Sequence, residues 1–261
     1  MLSYQHAYHA GNLADVHKHA LLAFMLDYLT QKDKAFTYLE THAGRGLYDL
    51  TGAEAQKTGE AAQGITAVEH LGWFPPDHPY ARALSAVRAV YGPQAYPGSP
   101  LVAAQFMRDG DRATLAELHP QEYVALCEAM LPYPMTCRQM DGTAMAMALT
   151  PPEPRRGLML IDPPYEVKAD YVAIPKLIAD VHRKWNVGTI ALWYPILIDM
   201  RHRPMLELLD SLNAPKVLRH EVRFPPAREG HGMIGSGMFI LNTPYGTDAE
   251  ADRLTRLFRR L

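Results

Sequence analysis

The sequence predicts an α/β fold built on a mainly parallel, doubly wound sheet with an antiparallel edge and a small helical insertion. Three observations carry this expectation. Short apolar segments of strand length alternate with longer stretches of helical periodicity along most of the 261 residues. Several strand segments end in an acid or a glycine turn, the place where open parallel sheets bind their ligands. The last two strands, 216–224 and 235–242, are too close in sequence for a helical crossover, so they are expected to pair as an antiparallel edge.

The chain opens with Met1-Leu-Ser-Tyr4-Gln-His6-Ala-Tyr-His9-Ala-Gly11-Asn12, followed by Asp15-Val-His17-Lys18-His19. A helix is expected from Ala14 to Thr30, with Leu21, Leu22, Met25, Leu26 and Leu29 as its apolar face. No carboxylate or cysteine set completes a metal site among these histidines, and no metal is expected. They can cap turns and bind backbone carbonyls, or, massed before a helix, capture a carboxylate or phosphate. Ala35-Phe-Thr-Tyr38-Leu-Glu40 alternates as a strand does and runs into Thr41-His42-Ala43-Gly44-Arg45-Gly46. A strand followed by Gly-x-Gly lets the backbone approach a nucleoside closely, and the missing third glycine argues against a dinucleotide.

Residues 51–97 break this rhythm. Two amphipathic helices, 59–73 and 80–91, flank Phe74-Pro-Pro-Asp-His-Pro and read as a helical insertion too short for a core of its own, so the chain 1–261 is read as a single domain. Ser99 is the expected cap of the next helix, with Pro100 at its first position. A strand over 113–117 ends in Glu117; a helix over 121–131 leads to strand 135–139, and Asp141-Gly142 opens a short helix. Gly157-Leu158-Met159-Leu160-Ile161 is a short buried strand stopped by Asp162-Pro163-Pro164-Tyr165, because two prolines lack N–H groups and hold a rigid extended turn. Such a turn aims the Asp162 carboxylate, the Pro163 carbonyl and the Tyr165 ring at one place: two oxygens for an NH₂ group and a ring for the plane that carries it. A helix over 170–184, a strand from Gly188 to Tyr194, a helix near 200–212 and a final helix over 248–260 complete the pattern.

Composition sets limits. With 48% hydrophobic and 21% charged residues the chain has ample material for a core. A net charge of −2 is no signature of a nucleic-acid binder, so any RNA contact must come from local basic groups. Candidates are Arg45, Arg201 with Arg203, the Lys216, Arg219, Arg223 and Arg228 stretch, and Arg253, Arg256, Arg259 and Arg260. Cys127 and Cys137 suit neither a disulfide framework nor zinc, and a reducing cytoplasm is expected. No apolar run reaches the roughly 18–20 residues that span a bilayer, and no signal peptide is seen, so no membrane partner is expected.

Four strand ends thus carry acids: Glu40, Glu117, Asp141 and Asp162. An acid there can accept both hydroxyls of a ribose, and an acid followed by glycine can accept from an adenine amino group. Glu40-Thr-His42-Ala43-Gly44-Arg-Gly46 resembles motif I of S-adenosylmethionine-dependent amino-methyltransferases, and Asp162-Pro163-Pro164-Tyr165 resembles their motif IV. More narrowly, His9-Ala-Gly-Asn12, Lys18-His19, Tyr96-Pro-Gly-Ser-Pro100, Glu117-Leu-His-Pro120, Ala191-Leu-Trp-Tyr-Pro195 and Ser236-Gly-Met238 are similar to the 23S ribosomal RNA adenine-N6 methyltransferase family, ribosomal large subunit methyltransferase J. Two departures stand out: Glu40 where the family habit is Asp, and Arg45 inside the glycine turn, where it narrows the turn or adds a positive charge.

That resemblance implies a Rossmann-like methyltransferase fold and a role for each matching residue. S-adenosylmethionine would be held by Lys18, His19, His42, Gly44 and Ser99, with Glu117 on its ribose, Asp141 and Gly142 on its adenine, and Asp162 beside the methyl. Asp162 and the Pro163 carbonyl would receive the amine, Tyr165 would stack on a flipped adenine, and Tyr4 and His6 would handle the RNA. In-line transfer would leave S-adenosylhomocysteine. The partner implied is 23S ribosomal RNA, as naked RNA or an early assembly intermediate, methylated by a monomer. DNA adenine and cytosine N4 are rival acceptors. A catalytically silent RNA-binding or ribosome-assembly factor is a rival of another class, which donor binding by calorimetry separates.

Overall fold

The computed structural model describes residues 5–227, 230 and 232–261; Tyr4 and Arg228 lie outside them. The strands are β1 (Thr37–Glu40), β2 (Leu47–Asp49), β3 (Ala95–Pro97), β4 (Arg112–Ala116), β5 (Thr136–Arg138), β6 (Gly157–Ile161), β7 (Thr189–Leu197), β8 (Leu218–Arg223) and β9 (Met233–Leu241). Seven of them form one sheet in the order β5-β4-β1-β6-β7-β9-β8. From β5 to β7 neighbours run parallel, and the chain turns back on itself between β1 and β6, the switch point where ligands bind in such sheets. Every residue of β1 and β6 is buried, as expected of strands covered on both faces.

The antiparallel edge is wider than the sequence suggests. β8 and β9 do pair, but β9 also lies antiparallel against β7, with Ile190 opposite Leu241 and Tyr194 opposite Gly237. β9 therefore inserts between β7 and β8. No local pattern encodes that order, since it depends on which side of β7 the returning chain enters.

Helices cover both faces. On one lie α1 (Leu13–Thr30), α4 (Pro79–Tyr91), α5 (Ser99–Ala104) and α10 (Thr247–Phe258), whose apolar residues share a core with Phe36, Tyr38 and Leu160. On the other, α8 (Asp170–Lys184) and α9 (Arg203–Asp210) pack on Met159, Ile161 and Leu192. Asn12 caps α1, its side chain accepting from Asp15 N at 2.9 Å.

In the insertion the expected helix over 59–73 is broken. α2 (Ala53–Thr58) ends at Gly59 with φ 65°, a π-turn covers Ala62–Thr66, and α3 (Ala67–His70) is a single turn. A Cβ at Gly64 would lie 2.0 Å from the carbonyl oxygen of Gly11, so only glycine lets this turn rest on the N-terminal loop. The two-stranded ribbon of β2 and β3, absent from the sequence reading, closes the base of the insertion. Ser99 is also reassigned: Gly98 is the cap of α5, and Ser99 and Pro100 occupy its first two positions.

Candidate active site

The C-terminal ends of β1, β4 and β6 open onto a cleft of about 520 Å³ whose wall also includes α1 and β7. Lys18, His19, His42, Gly44, Ser99, Glu117, Asp141, Gly142, Asp162, Pro163 and Tyr165 all line it, as does His6. The fold thus gathers into one cavity every described residue to which the resemblance gave a role.

Glu40 is the exception among the four acids. Register explains it: Glu40 lies opposite Leu115 on β4 and Leu160 on β6, so Glu117 and Asp162 each stand two residues further along their chains. The acids are not level. Glu40 is fully buried and does not line the cleft; Tyr38 Oη donates to its Oε2 at 2.8 Å and Ser99 Oγ to its Oε1 at 2.5 Å. Burial outweighs these donors and pushes its carboxyl up to about 8. A carboxyl raised from its ordinary 4.5 binds a proton in the folded state that the unfolded chain has lost, so stability falls as pH rises between those values. Glu40→Gln is therefore expected to raise the melting temperature at pH 7 and flatten its fall between about pH 4.5 and 8. Thermal unfolding across that range checks it, and an unchanged slope would refute the protonated carboxyl.

At the amine-holding end, Lys18 Nζ donates to Asp162 Oδ2 at 2.6 Å and lies 3.0 Å from Asp15 Oδ1. Burial pulls the Lys18 pKa down, but the two carboxylates more than offset it and the net direction is upward. Asp15, 1% exposed, also accepts from Gly11 N at 2.9 Å and contacts His6 Nε2 at 2.8 Å. Burial raises its carboxyl, and His6 and Lys18 bring it well below the usual range. Tyr165 has φ 54° and is 8% exposed, with its ring 4.7 Å from that of Tyr171 and its hydroxyl donating to the carbonyl of Trp193 at 2.9 Å. The ring is anchored before any ligand arrives.

The other end suits a nucleoside. Gly44 N and His119 N donate to the Glu117 carboxylate at 2.8 and 2.7 Å, fixing it in the wall while burial raises its pKa. Gly44, with φ 62°, makes the tight turn that brings its amide there. Asp141 caps α7 (Gly142–Leu149) through Oδ1, which accepts from Ala144 N at 2.8 Å. Gly142 is required by packing, since a Cβ would lie 1.9 Å from the carbonyl oxygen of Thr41. His42 Nδ1 lies 2.7 Å from Thr41 Oγ1, and burial lowers its pKa. His19, 1% exposed, bonds Tyr96 Oη through Nδ1 at 3.0 Å, while its Nε2 is buried beside the cleft without a protein partner. Burial takes its pKa down to about 3, so it is a neutral imidazole with one orphan nitrogen. That orphan, the fixed Glu117 carboxylate and the close-packed Gly142 fit a ligand carrying a carboxylate, a ribose and an adenine.

The N-terminal histidines do not act as one cluster. His6 and His9 pair with Asp15 and Glu60, His17 turns into the core against Ser236, and His19 presents a buried, unpartnered nitrogen beside the cleft. Arg45 does not stand free near the site as a charge for RNA. Its guanidinium makes two bonds, 2.9 and 2.6 Å, to Glu122, which is 4% exposed, tying the glycine turn to α6 (Pro120–Met130). Of the other basic candidates, Arg201, Arg219 and Arg253 are paired with Asp199, Asp210 and Glu250. Arg201 reaches the rim of the cleft. Two residues the sequence reading left without a role belong here: Asp15, the second carboxylate on Lys18, and Trp193, whose ring centroid lies 5.6 Å from Lys18 Nζ.

Comparison with known proteins agrees with this geometry. The family model described as Ribosomal RNA large subunit methyltransferase D, RlmJ, matches residues 33–259. The protein named Ribosomal RNA large subunit methyltransferase J of Haemophilus influenzae is 38% identical over 255 residues, covering 96% of this chain and 90% of the relative. The protein of the same name from Escherichia coli K12 is 37% identical, covering 97% and 91%. The crystal structure of protein LPL1258 from Legionella pneumophila superposes with a TM-score of 0.85 at 35% identity, covering 95% of this chain and 92% of that one. The methyltransferase domain of METTL16 shares the fold alone, with a TM-score of 0.51, 11% identity and coverage of 88% and 68%. The Rossmann-like sheet agrees with these matches, and the chain belongs to the ribosomal RNA large subunit methyltransferase family RlmJ.

Proposed function

We propose that the protein transfers the methyl group of S-adenosylmethionine to the exocyclic N6 of a flipped adenine in 23S ribosomal RNA. The observation that carries this is the Asp162 carboxylate, presented by a double-proline turn in a cleft beside Lys18, Tyr165 and Trp193. An aromatic amine is a poor nucleophile because its lone pair is delocalised into the ring. Asp162 and the Pro163 carbonyl accept its two hydrogens, draw the nitrogen toward tetrahedral geometry and free the lone pair. When bound, S-adenosylmethionine supplies an electrophilic methyl on a sulfonium; the N–C bond forms as the S–C bond breaks, S-adenosylhomocysteine remains, and the nitrogen's surplus proton leaves to solvent. The residues' contribution is positioning and charge complementarity. Removing adenine from its stack costs a few kcal/mol, and a stacking contact with Tyr165 offsets roughly 1–3 kcal/mol.

In this reading His19, Lys18, His42, Gly44 and Ser99 hold the donor, Glu117 its ribose, and Asp141 with Gly142 its adenine, while His6 stands on the substrate side. A carboxylate accepting from ribose hydroxyls is worth about 1.5–3 kcal/mol, so Glu117→Ala is expected to weaken donor binding by roughly ten- to a hundredfold. Calorimetry reads it, and unchanged affinity would refute the placement. The protein is read as a cytoplasmic monomer acting on naked RNA or an early assembly intermediate, with binding that weakens steeply as salt rises. Methylation of total ribosomal RNA followed by nucleoside mapping tests the whole reading: N6-methyladenosine in 23S RNA is the expected product. N4-methylcytidine, or no product from a protein that binds the donor, would overturn it.

A further inference from the structure

Trp193 stands where the cleft meets a buried polar chain. Its carbonyl holds the Tyr165 hydroxyl, its ring faces the Lys18 ammonium, and its indole Nε1 donates to Ser236 Oγ at 2.9 Å. Ser236, on β9, is fully buried and lies 2.8 Å from His17 Nδ1. His17 Nε2 is 2.9 Å from His220 Nδ1 on β8, and His220 Nε2 is 2.8 Å from Thr255 Oγ1 on α10. The chain crosses five elements, and on α1 the neighbours His17 and Lys18 face opposite tasks, one joining the chain and the other meeting Asp162.

Such a chain is an expensive way to fill a core. Each group gives up water, and apolar side chains of similar shape stabilise an interior at least as well. Burial, with His220 nearby, holds the His17 imidazole well below its ordinary pKa, and burial lowers that of His220, which disfavours charge on either ring. What the chain supplies is direction. A half-buried indole has two broad orientations about its outer torsion, and only one brings Nε1 to Ser236. That orientation is also the one that sets the ring against Lys18.

We propose that Trp193 is a positioning residue for methyl transfer, its ring holding Lys18 in place at Asp162 while its main-chain carbonyl holds the Tyr165 hydroxyl, and that the polar relay Ser236–His17–His220–Thr255 fixes the ring. The inference rests on the reading of Asp162 as the amine acceptor. Ser236 is buried outside the cleft, yet its loss is expected to act on catalysis through the indole.

The test is a double-mutant cycle read in kcat and KM on a 23S ribosomal RNA transcript, with donor affinity by calorimetry. Trp193→Phe keeps an aromatic ring and removes the N–H; Ser236→Ala removes its acceptor. Each is expected to lower kcat roughly tenfold with donor affinity held within about twofold, and the double variant to fall no further than the worse single one. The indole N–H resonance that vanishes in Trp193→Phe should shift in Ser236→Ala. Wild-type kcat in Trp193→Phe, or losses that multiply to about a hundredfold, would overturn the proposal. Should Ser236→Ala fail to fold, Thr255→Val replaces it, with a loss of roughly two- to threefold that does not multiply with Trp193→Phe, on the same criterion. Turnover retained in Asp162→Ala would remove the underlying reading, whereas an inactive Asp162→Ala beside an unaffected Trp193→Phe would remove the relay alone.

Discussion

Asp162→Ala is expected to abolish methyl transfer while leaving folding cooperative. The carboxylate contributes nothing to the apolar core, and Lys18 keeps Asp15 as a partner 3.0 Å away, so the ammonium is not stranded. Removing one preorganised group that stabilises developing charge typically costs 10²–10³ in kcat, and here the same group also orients the amine, so about 10³ or more is expected. Asp162→Asn retains a carbonyl oxygen but turns one acceptor into a donor that competes with the amine hydrogens, so it is expected to lose roughly a hundredfold or more. Methyl incorporation into 23S ribosomal RNA, measured beside donor affinity, reads both. Turnover near wild type in Asp162→Ala would sink the assigned role.

Lys18→Met is expected to cost the most stability of any change at the site. The ammonium is 5% exposed between carboxylates that are 1% and 13% exposed, and removing one member of a buried ionic set leaves uncompensated charge worth about 3–5 kcal/mol. Asp15 retains Gly11 N and His6, so Asp162 carries most of the imbalance. Lys18→Met with Asp162→Asn should therefore recover part of the lost stability while remaining inactive. Urea denaturation of the two singles and the double measures the coupling. A Lys18→Met protein as stable as the parent would show that the ion set contributes little to the fold.

Much of the candidate site is legible in the sequence. The apolar run 157–161 stopped by two prolines could only be a strand ending in a rigid turn, because proline removes donors and fixes φ. The Gly44 turn and the Asp141-Gly142 step were marked by residues chosen for backbone reasons: a φ of 62° at one, a carbonyl 1.9 Å from any Cβ at the other. Roles for His19, Ser99 and Glu117 came from resemblance, and the fold does bring all three into one cleft.

What local pattern could not reach was long-range. Glu40 looked like a fourth acid at the sheet edge, but parallel register set it two residues short of Glu117 and Asp162 and buried it against Tyr38 and Ser99. Ser99 looked like a helix cap and instead spends its hydroxyl on that carboxyl. Arg45 looked like a free charge until α6 supplied Glu122. The sequence alone determined the alternation of strands and helices, the stops, and the kinds of residue at the strand ends, because those depend on φ, on missing donors and on the period of apolar side chains. Tertiary structure decided the order β7-β9-β8, the level of each acid, and the joining of His17, His220, Ser236 and Trp193, residues as many as 219 positions apart. Their pairing is a property of how the elements pack, and no window of sequence contains it.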